Sequence, residues 1–135
     1  MMRKIVLSLI LTLVLLSGCA PKTEVSYGES YTSKEEVALY LWTYSELPPN
    51  YITKDEAYEL GWKPSQQNLW EVTDKKSIGG DRFFNLEGLL PKDTYFEADI
   101  DYQGKQRNAK RLVYTKNGVI YYTADHYKSF EELKK

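Results

Sequence analysis

At 135 residues the chain has room for one domain with a modest core. Its 42% hydrophobic and 27% charged content is that of a globular protein, and twelve tyrosines favour a sheet-rich fold. The net charge of −1, falling to about −3 without the basic leader described next, excludes a protein built around a long nucleic-acid groove. Any polyanion it handles must be gripped locally.

Met1-Met2-Arg3-Lys4 is a short basic segment, and Ile5 to Leu16 is an apolar run broken only by Ser8 and Thr12. The run is short for a membrane span and fits the apolar region of a signal peptide better than an uncleaved anchor helix. Leu16-Ser17-Gly18-Cys19 then resembles a bacterial lipobox, in which small residues admit the peptidase and the cysteine thiol accepts the lipid. Cys19 is the sole cysteine, which removes any intramolecular disulfide and agrees with a thiol reserved for lipidation. The expected organisation is a lipoprotein-type signal peptide over residues 1–18, a flexible tether over 19–32 and a folded domain over 33–135. A lipid anchor would hold the mature protein on the outer face of the bacterial cell membrane, with release into the medium as the other possibility. Stable anchoring needs more than one acyl chain, since each buried methylene contributes only about 0.8 kcal/mol.

Ala20 to Thr32 contains Pro21, Gly28 and several hydroxylated residues without periodicity, which reads as the tether. Whether Tyr27 and Tyr31 pack back on the domain is left open by the sequence. Ser33-Lys34-Glu35-Glu36 has capping-box spacing, and Val37, Ala38, Leu41 and Tyr44 share one face, so a helix is predicted from about Lys34 to Ser45. Leu47-Pro48-Pro49 ends it. Trp42 lies off that face, where it would cover part of a neighbouring loop.

Thr53-Lys54-Asp55-Glu56 repeats the capping-box spacing and opens a short second helix, with Gly61 placed to follow its C-terminus. Lys54 stands in the first turn, where the helix dipole disfavours a cation, so its position calls for a reason. A third short helix is expected around Asn68 to Val72. Strands are predicted over Ile78–Phe84, Tyr95–Tyr102, Lys110–Thr115 and Val119–Thr123, with Asn117-Gly118 as a hairpin turn and Phe130–Leu133 as a short edge strand.

The reactive side chains concentrate between Tyr95 and Tyr127: the carboxylate of Glu97, the guanidiniums of Arg107 and Arg111, and His126, the only imidazole. A base, an acid and cations between them are the parts that move a phosphoryl group without a metal. Each also has an ordinary reading. Glu97 fits a solvated strand face, Arg107 and Arg111 suit Asp99 or Asp101 as partners, and a lone histidine in a loop is often inert.

Several blocks in one order carry a resemblance that weighs against those ordinary readings. Leu47-Pro48-Pro49-Asn50-Tyr51-Ile52-Thr53-Lys54 with Gly61-Trp62, Ser77-Ile78-Gly79-Gly80-Asp81, Asn85-Leu86-Glu87-Gly88, Glu97-Ala98-Asp99-Ile100 and Asp125-His126-Tyr127 span nearly all of Lys34 to Leu133. Together they resemble the barnase-like, guanyl-preferring secreted bacterial ribonucleases. The resemblance implies an α+β fold, with N-terminal helices packed on a twisted antiparallel sheet of about five strands.

It also implies roles. Glu97 would be the general base that takes the proton of a ribose 2′-hydroxyl, and protonated His126 the general acid at the departing 5′-oxygen. The product would be a 2′,3′-cyclic phosphate. Lys54, Arg107 and Arg111 would hold the scissile phosphate, with Tyr127 either bonding the phosphate or fixing the loop. The loop Phe83-Phe84-Asn85-Leu86-Glu87 would bind the base, Glu87 accepting from guanine N–H groups; Phe83 is either a base contact or plain core.

No metal or other cofactor is implied, and one histidine with one cysteine is a poor ligand set. Implied partners are an RNA substrate, a barstar-like intracellular inhibitor and, through the lipid, the membrane; a monomer is expected. Two departures stand out: the family's arginine is replaced by Leu86, and its phenylalanine by Gln106. The first removes a cation from the rim and predicts weaker attraction of substrate and of an acidic inhibitor. The acidic charge and Leu86 also admit a non-catalytic surface lipoprotein that uses the fold to bind RNA or another protein. A pure binder has no need of the complete acid, base and cation set, and an inert envelope domain leaves it unexplained.

Overall fold

The computed structural model describes residues 23–135. The expected signal peptide, the lipidation site Cys19 and the first tether residues lie outside the described residues. Three helices, α1 (Lys34–Tyr44), α2 (Lys54–Glu59) and α3 (Leu69–Val72), precede most of a six-stranded sheet. Its strands are β1 (Tyr51–Ile52), β2 (Ser77–Phe83), β3 (Tyr95–Asp99), β4 (Arg111–Tyr114), β5 (Ile120–Thr123) and β6 (Glu131–Leu133), in sequence order across the sheet. All neighbours are antiparallel except β1 and β2. This is the expected α+β fold with one strand more than predicted. Two residues of β1 are too few to produce an alternating pattern.

Helix α1 begins where the capping pattern places it: Ser33 Oγ accepts from the Glu36 amide at 3.2 Å and donates to Glu36 Oε1 at 2.9 Å. Ser45 ends it in the left-handed conformation. Val37, Ala38 and Leu41 pack with Ile100, Leu112 and Ile120 on one face of the sheet. Each fully buried side chain of the larger kind contributes about 1.5–3 kcal/mol. Tyr40 is buried as well, because the segment before the helix covers it. Tyr27 and Tyr31 stack around its ring, the Gly28 amide donates to its hydroxyl at 2.9 Å, and Asn50 exchanges two hydrogen bonds with the Tyr31 backbone. The aromatic end of the tether therefore packs back onto the domain. Trp42 does cover a neighbouring loop, its indole donating to Gly118 O at 2.8 Å in the β4–β5 turn.

Helix α2 has the complete reciprocal capping box: the Thr53 amide donates to Glu56 Oε1 at 2.9 Å and the Glu56 amide to Thr53 Oγ1 at 3.3 Å. Ala57, Trp62, Leu69, Ile78 and Tyr102 form a smaller core under α2 and α3. In the β4–β5 hairpin, Thr115 N bonds Val119 O at 2.9 Å around a three-residue loop that ends in left-handed Gly118.

Strand alternation divides β3 between two tasks. Ala98 meets the α1 layer while Tyr95, Glu97 and Asp99 point to the other face. There Glu97 lies opposite Asp81 and Val113, and Asp99 opposite Arg111, which in turn pairs with Thr123. A bulge in β2 between Gly79 and Asp81, with Gly80 at φ +101°, sets that register.

Candidate active site

The face of the sheet away from α1 carries a cleft of about 420 Å³ walled by Lys54, Arg82, Phe83, Phe84, Asn85, Leu86, Glu87, Leu89, Glu97, Tyr127 and Phe130. Its base is apolar: Leu90, Tyr95 and Val113 are buried there beneath Phe83, Tyr121, Tyr127 and Phe130. Phe83 is both wall and core, its ring 5.1 Å from that of Tyr127 and 6.1 Å from that of Phe130.

Glu97 reaches the cleft from the middle of β3. The Tyr127 hydroxyl donates a hydrogen bond to its Oε1, and no other hydrogen bond to the carboxylate occurs among the described residues. Burial, and then the hydrogen bond and charge of Glu97, push the Tyr127 phenol well above its ordinary pKa, with Arg111 pulling less strongly the other way. The phenol thus stays protonated and able to donate. Lys54 is placed by an interaction the sequence did not suggest: its backbone amide donates to Asp81 Oδ2 at 3.0 Å. The bulge at Gly80 directs Asp81 to that amide, and the Lys54 ammonium makes no ion pair among the described residues.

Arg107 and Arg111 converge on one carboxylate. Arg107 donates through Nε and Nη2 to both oxygens of Asp99, each at 2.7 Å. Arg111 Nε lies 3.0 Å from Asp99 Oδ1 in an ion pair without hydrogen-bond alignment, while its Nη1 donates at 2.8 Å to the carbonyls of Asn108 and Lys110. Asp99 and Arg111 are both buried, at 2% exposure. Burial alone would lower the Arg107 pKa, but bonding to Asp99, with lesser help from Tyr127 and Glu97, holds it above its ordinary value. Asp101, the alternative partner read from the sequence, instead takes Lys110 at 3.3 Å.

His126 sits in a turn that the side chain of Asp125 organises. Asp125 Oδ1 accepts from Thr123 Oγ1 and from the amides of Lys128 and Ser129 at 2.8–3.1 Å, and Oδ2 accepts from Ser129 Oγ at 2.6 Å. Those bonds from Ser129 and Thr123 lower the Asp125 pKa to about 2. His126 and Tyr127 are consecutive left-handed residues, at φ +56° and +72°, a costly conformation that persists where surroundings impose it. Here the His126 amide is tied to Ala109 O at 3.0 Å and the Tyr127 amide to Thr123 Oγ1 at 3.1 Å. The imidazole is exposed, its ring centre 4.7 Å from that of Tyr127. It does not wall the cleft itself; its neighbour Tyr127 does, and the Tyr127 hydroxyl is the group that bonds Glu97.

The loop after β2 is a closed turn. Left-handed Asn85 exchanges side-chain hydrogen bonds with the Leu90 backbone at 2.9 and 3.1 Å, and Gly88 N bonds Asn85 O at 2.9 Å. Glu87 is exposed, Leu86 is 92% exposed and Phe84 66%. Among the described residues no group of three or more His, Cys, Asp or Glu is placed to hold a metal ion. Asp99 was one of the two arginine partners read from the sequence, whereas Asp81 and Asp125 were given no role there, although both stand inside the blocks that carry the resemblance.

Residues 34–134 match the family model described as ribonuclease. A ribonuclease of Heyndrickxia coagulans is 52% identical over 101 residues, covering 73% of this chain and 93% of that protein. Ribonucleases of Bacillus intermedius and Bacillus pumilus are 52% identical over 101 residues each, again 73% of this chain but 62% of their own length. The matched span includes every residue of the cleft.

Proposed function

Because this chain belongs to the ribonuclease family, of the barnase-like bacterial kind, and its substrate is RNA, we propose that it cleaves single-stranded RNA after guanine by transfer of the phosphoryl group to the 2′-oxygen. The observation that carries this reading is the shared cleft: Glu97, Lys54 and the Phe83–Glu87 loop wall one opening, and the guanidiniums clamped by Asp99 belong to the same sheet face.

In this mechanism Glu97 removes the proton of the ribose 2′-hydroxyl through the oxygen that Tyr127 leaves free. The 2′-oxygen attacks phosphorus, and the 5′-oxygen departs with a proton from His126, which leaves a 2′,3′-cyclic phosphate. Water then opens the ring with the two roles exchanged. DNA lacks the nucleophile and can only occupy the site. Lys54, Arg107 and Arg111 stabilise charge that grows on the phosphate oxygens; they are most effective when held in place beforehand, as the Asp99 clamp holds the two guanidiniums. Guanine is selected at the loop. The Leu86 and Glu87 amides have no protein acceptor among the described residues and suit the guanine carbonyl, while the Glu87 carboxylate accepts from its N–H groups. Adenine would leave those groups unpaired.

The test is cleavage of a guanylyl dinucleotide, with the cyclic phosphate end as readout. Glu97→Ala and His126→Ala are expected to abolish turnover while the fold persists; full activity in either variant refutes the assignment. The outward, lipid-anchored location is also proposed on the leader alone, and a Cys19→Ala protein still retained in the membrane fraction would refute it. An acidic intracellular inhibitor is the partner proposed for the cationic site, and the protein is proposed to act as a monomer.

A further inference from the structure

From the edge of the cleft onto the α1 side of the sheet runs a row of aromatic rings and cations, of which only Phe84 belongs to the loop assigned to the base above. Arg82 on β2 lies opposite Phe96 on β3, and Phe96 opposite Tyr114 on β4. The Arg82 guanidinium carbon is 5.1 Å from the centre of the Phe84 ring and 5.9 Å from that of Phe96. Lys116 Nζ lies 5.4 Å from the centre of the Phe96 ring, and the Phe96 and Tyr114 rings are 6.0 Å apart. Arg82 and Phe84 wall the active-site cleft; Phe96, Tyr114 and Lys116 line a second cleft of about 660 Å³. The row joins the two.

Neither Arg82 nor Lys116 forms an ion pair among the described residues. Both are exposed, and Phe84 shows most of its surface to solvent. Rings that alternate with unpaired cations form the kind of surface on which single-stranded nucleic acid lies. Bases stack on aromatic faces and guanidinium planes, and the cations meet the phosphates.

We propose that the Arg82–Phe84–Phe96–Lys116 row is an extended subsite that binds nucleotides of the RNA beyond the guanine held in the cleft. RNA is the occupant because the row begins inside the cleft where the substrate lies and carries the charge that phosphates require. The inference rests on the catalytic reading above only for the placement of the guanine.

The test compares a short and a long ligand. One is the guanylyl dinucleotide, followed by cleavage; the other is a fluorescent 2′-deoxy hexanucleotide containing one guanine, followed by anisotropy at low salt. Phe96→Ala is expected to weaken hexamer binding about fivefold or more, the loss of one stacked base, and to leave kcat/KM on the dinucleotide within about twofold. Lys116→Gln, a surface change that keeps the fold if Phe96→Ala does not, is expected to reduce the slope of log Kd against log salt by about 0.7. Hexamer affinities and salt slopes equal to wild type overturn the subsite. A wild-type protein that leaves the dinucleotide intact overturns the catalytic reading instead, and hexamer binding still decides the row.

Discussion

Replacement of Asp99 by asparagine tests how the site holds its cations. The substitution keeps the side-chain volume, so no cavity opens; what is lost is the charge between two guanidiniums. Arg107 keeps at most one of its two 2.7 Å bonds, now to a neutral oxygen, and Arg111, 2% exposed, is left as a buried cation without its counter-charge. Breaking a buried pair from one side costs about 3–5 kcal/mol. A domain of this size has about 5–15 kcal/mol in total, so the variant loses about a fifth of its stability or more. In urea, where the slope for a small protein is about 1–3 kcal/mol/M, the midpoint falls by roughly 2 M with little change in slope. Arg107→Gln alone costs less, because Asp99 keeps Arg111. The double variant then loses less than the sum of the singles, since Arg107 is no longer present to be stranded. Dinucleotide cleavage falls in parallel. A loss for Asp99→Asn below about 1 kcal/mol, additive with Arg107→Gln, would show that solvent rather than Asp99 compensates these guanidiniums and would refute the reasoning.

Leu86→Arg restores a cation to the cleft rim at a fully solvated position; kcat/KM on RNA should rise at low salt, with a salt slope steeper by about 0.7 for one added phosphate contact. Unchanged slope and unchanged affinity for an acidic inhibitor protein would sink the rim argument. Asp125 has a folded-state pKa of about 2 against an ordinary 3.8, so its stabilisation is present above about pH 4 and disappears as the pH falls toward 2. Asp125→Asn should flatten the acid limb of Tm against pH in that window and lower kcat more than it raises KM, because the turn under His126 loosens. Parallel Tm curves for variant and wild type would count against this role.

The elements most legible in the sequence were those whose information is local. The capping boxes at Ser33 and Thr53, the Asn117-Gly118 hairpin and the alternation in β2 to β5 each specify their own backbone, and α1 starts and stops within a residue of its predicted limits. What escaped depends on pairing between distant segments. Strand β1 exists only because Gly79 has no side chain: a Cβ there would come within 2.6 Å of the Tyr51 ring and 3.0 Å of Ala98. Tyr40 became core only because Tyr27 and Tyr31 fold over it. The aromatic and cationic row became visible only once β2, β3 and β4 were in register, since Arg82, Phe96 and Lys116 are far apart in sequence. It also qualifies what the acidic net charge excludes. A long basic groove is absent from the composition, but the proposed subsite needs only the two cations of this row, Arg82 and Lys116, to extend a local grip.

Arg107 and Arg111 admitted two readings from sequence, structural partners of an aspartate or phosphate-binding groups of the site. The structure shows the first, and in the proposed mechanism it is a condition of the second. An arginine on a flexible loop would lose side-chain freedom each time substrate bound, a cost of up to about 2 kcal/mol. Asp99 fixes both guanidiniums during folding, so that cost falls on the domain's stability and not on each binding event. One carboxylate between two guanidiniums still leaves a positive charge uncompensated, and Lys54 beside the cleft adds another. A second carboxylate on the clamp would neutralise the two guanidiniums, whereas no carboxylate would leave two like charges close together. In the proposed mechanism the single buried aspartate is therefore the arrangement that preorganises the cations and keeps them attractive to a phosphate.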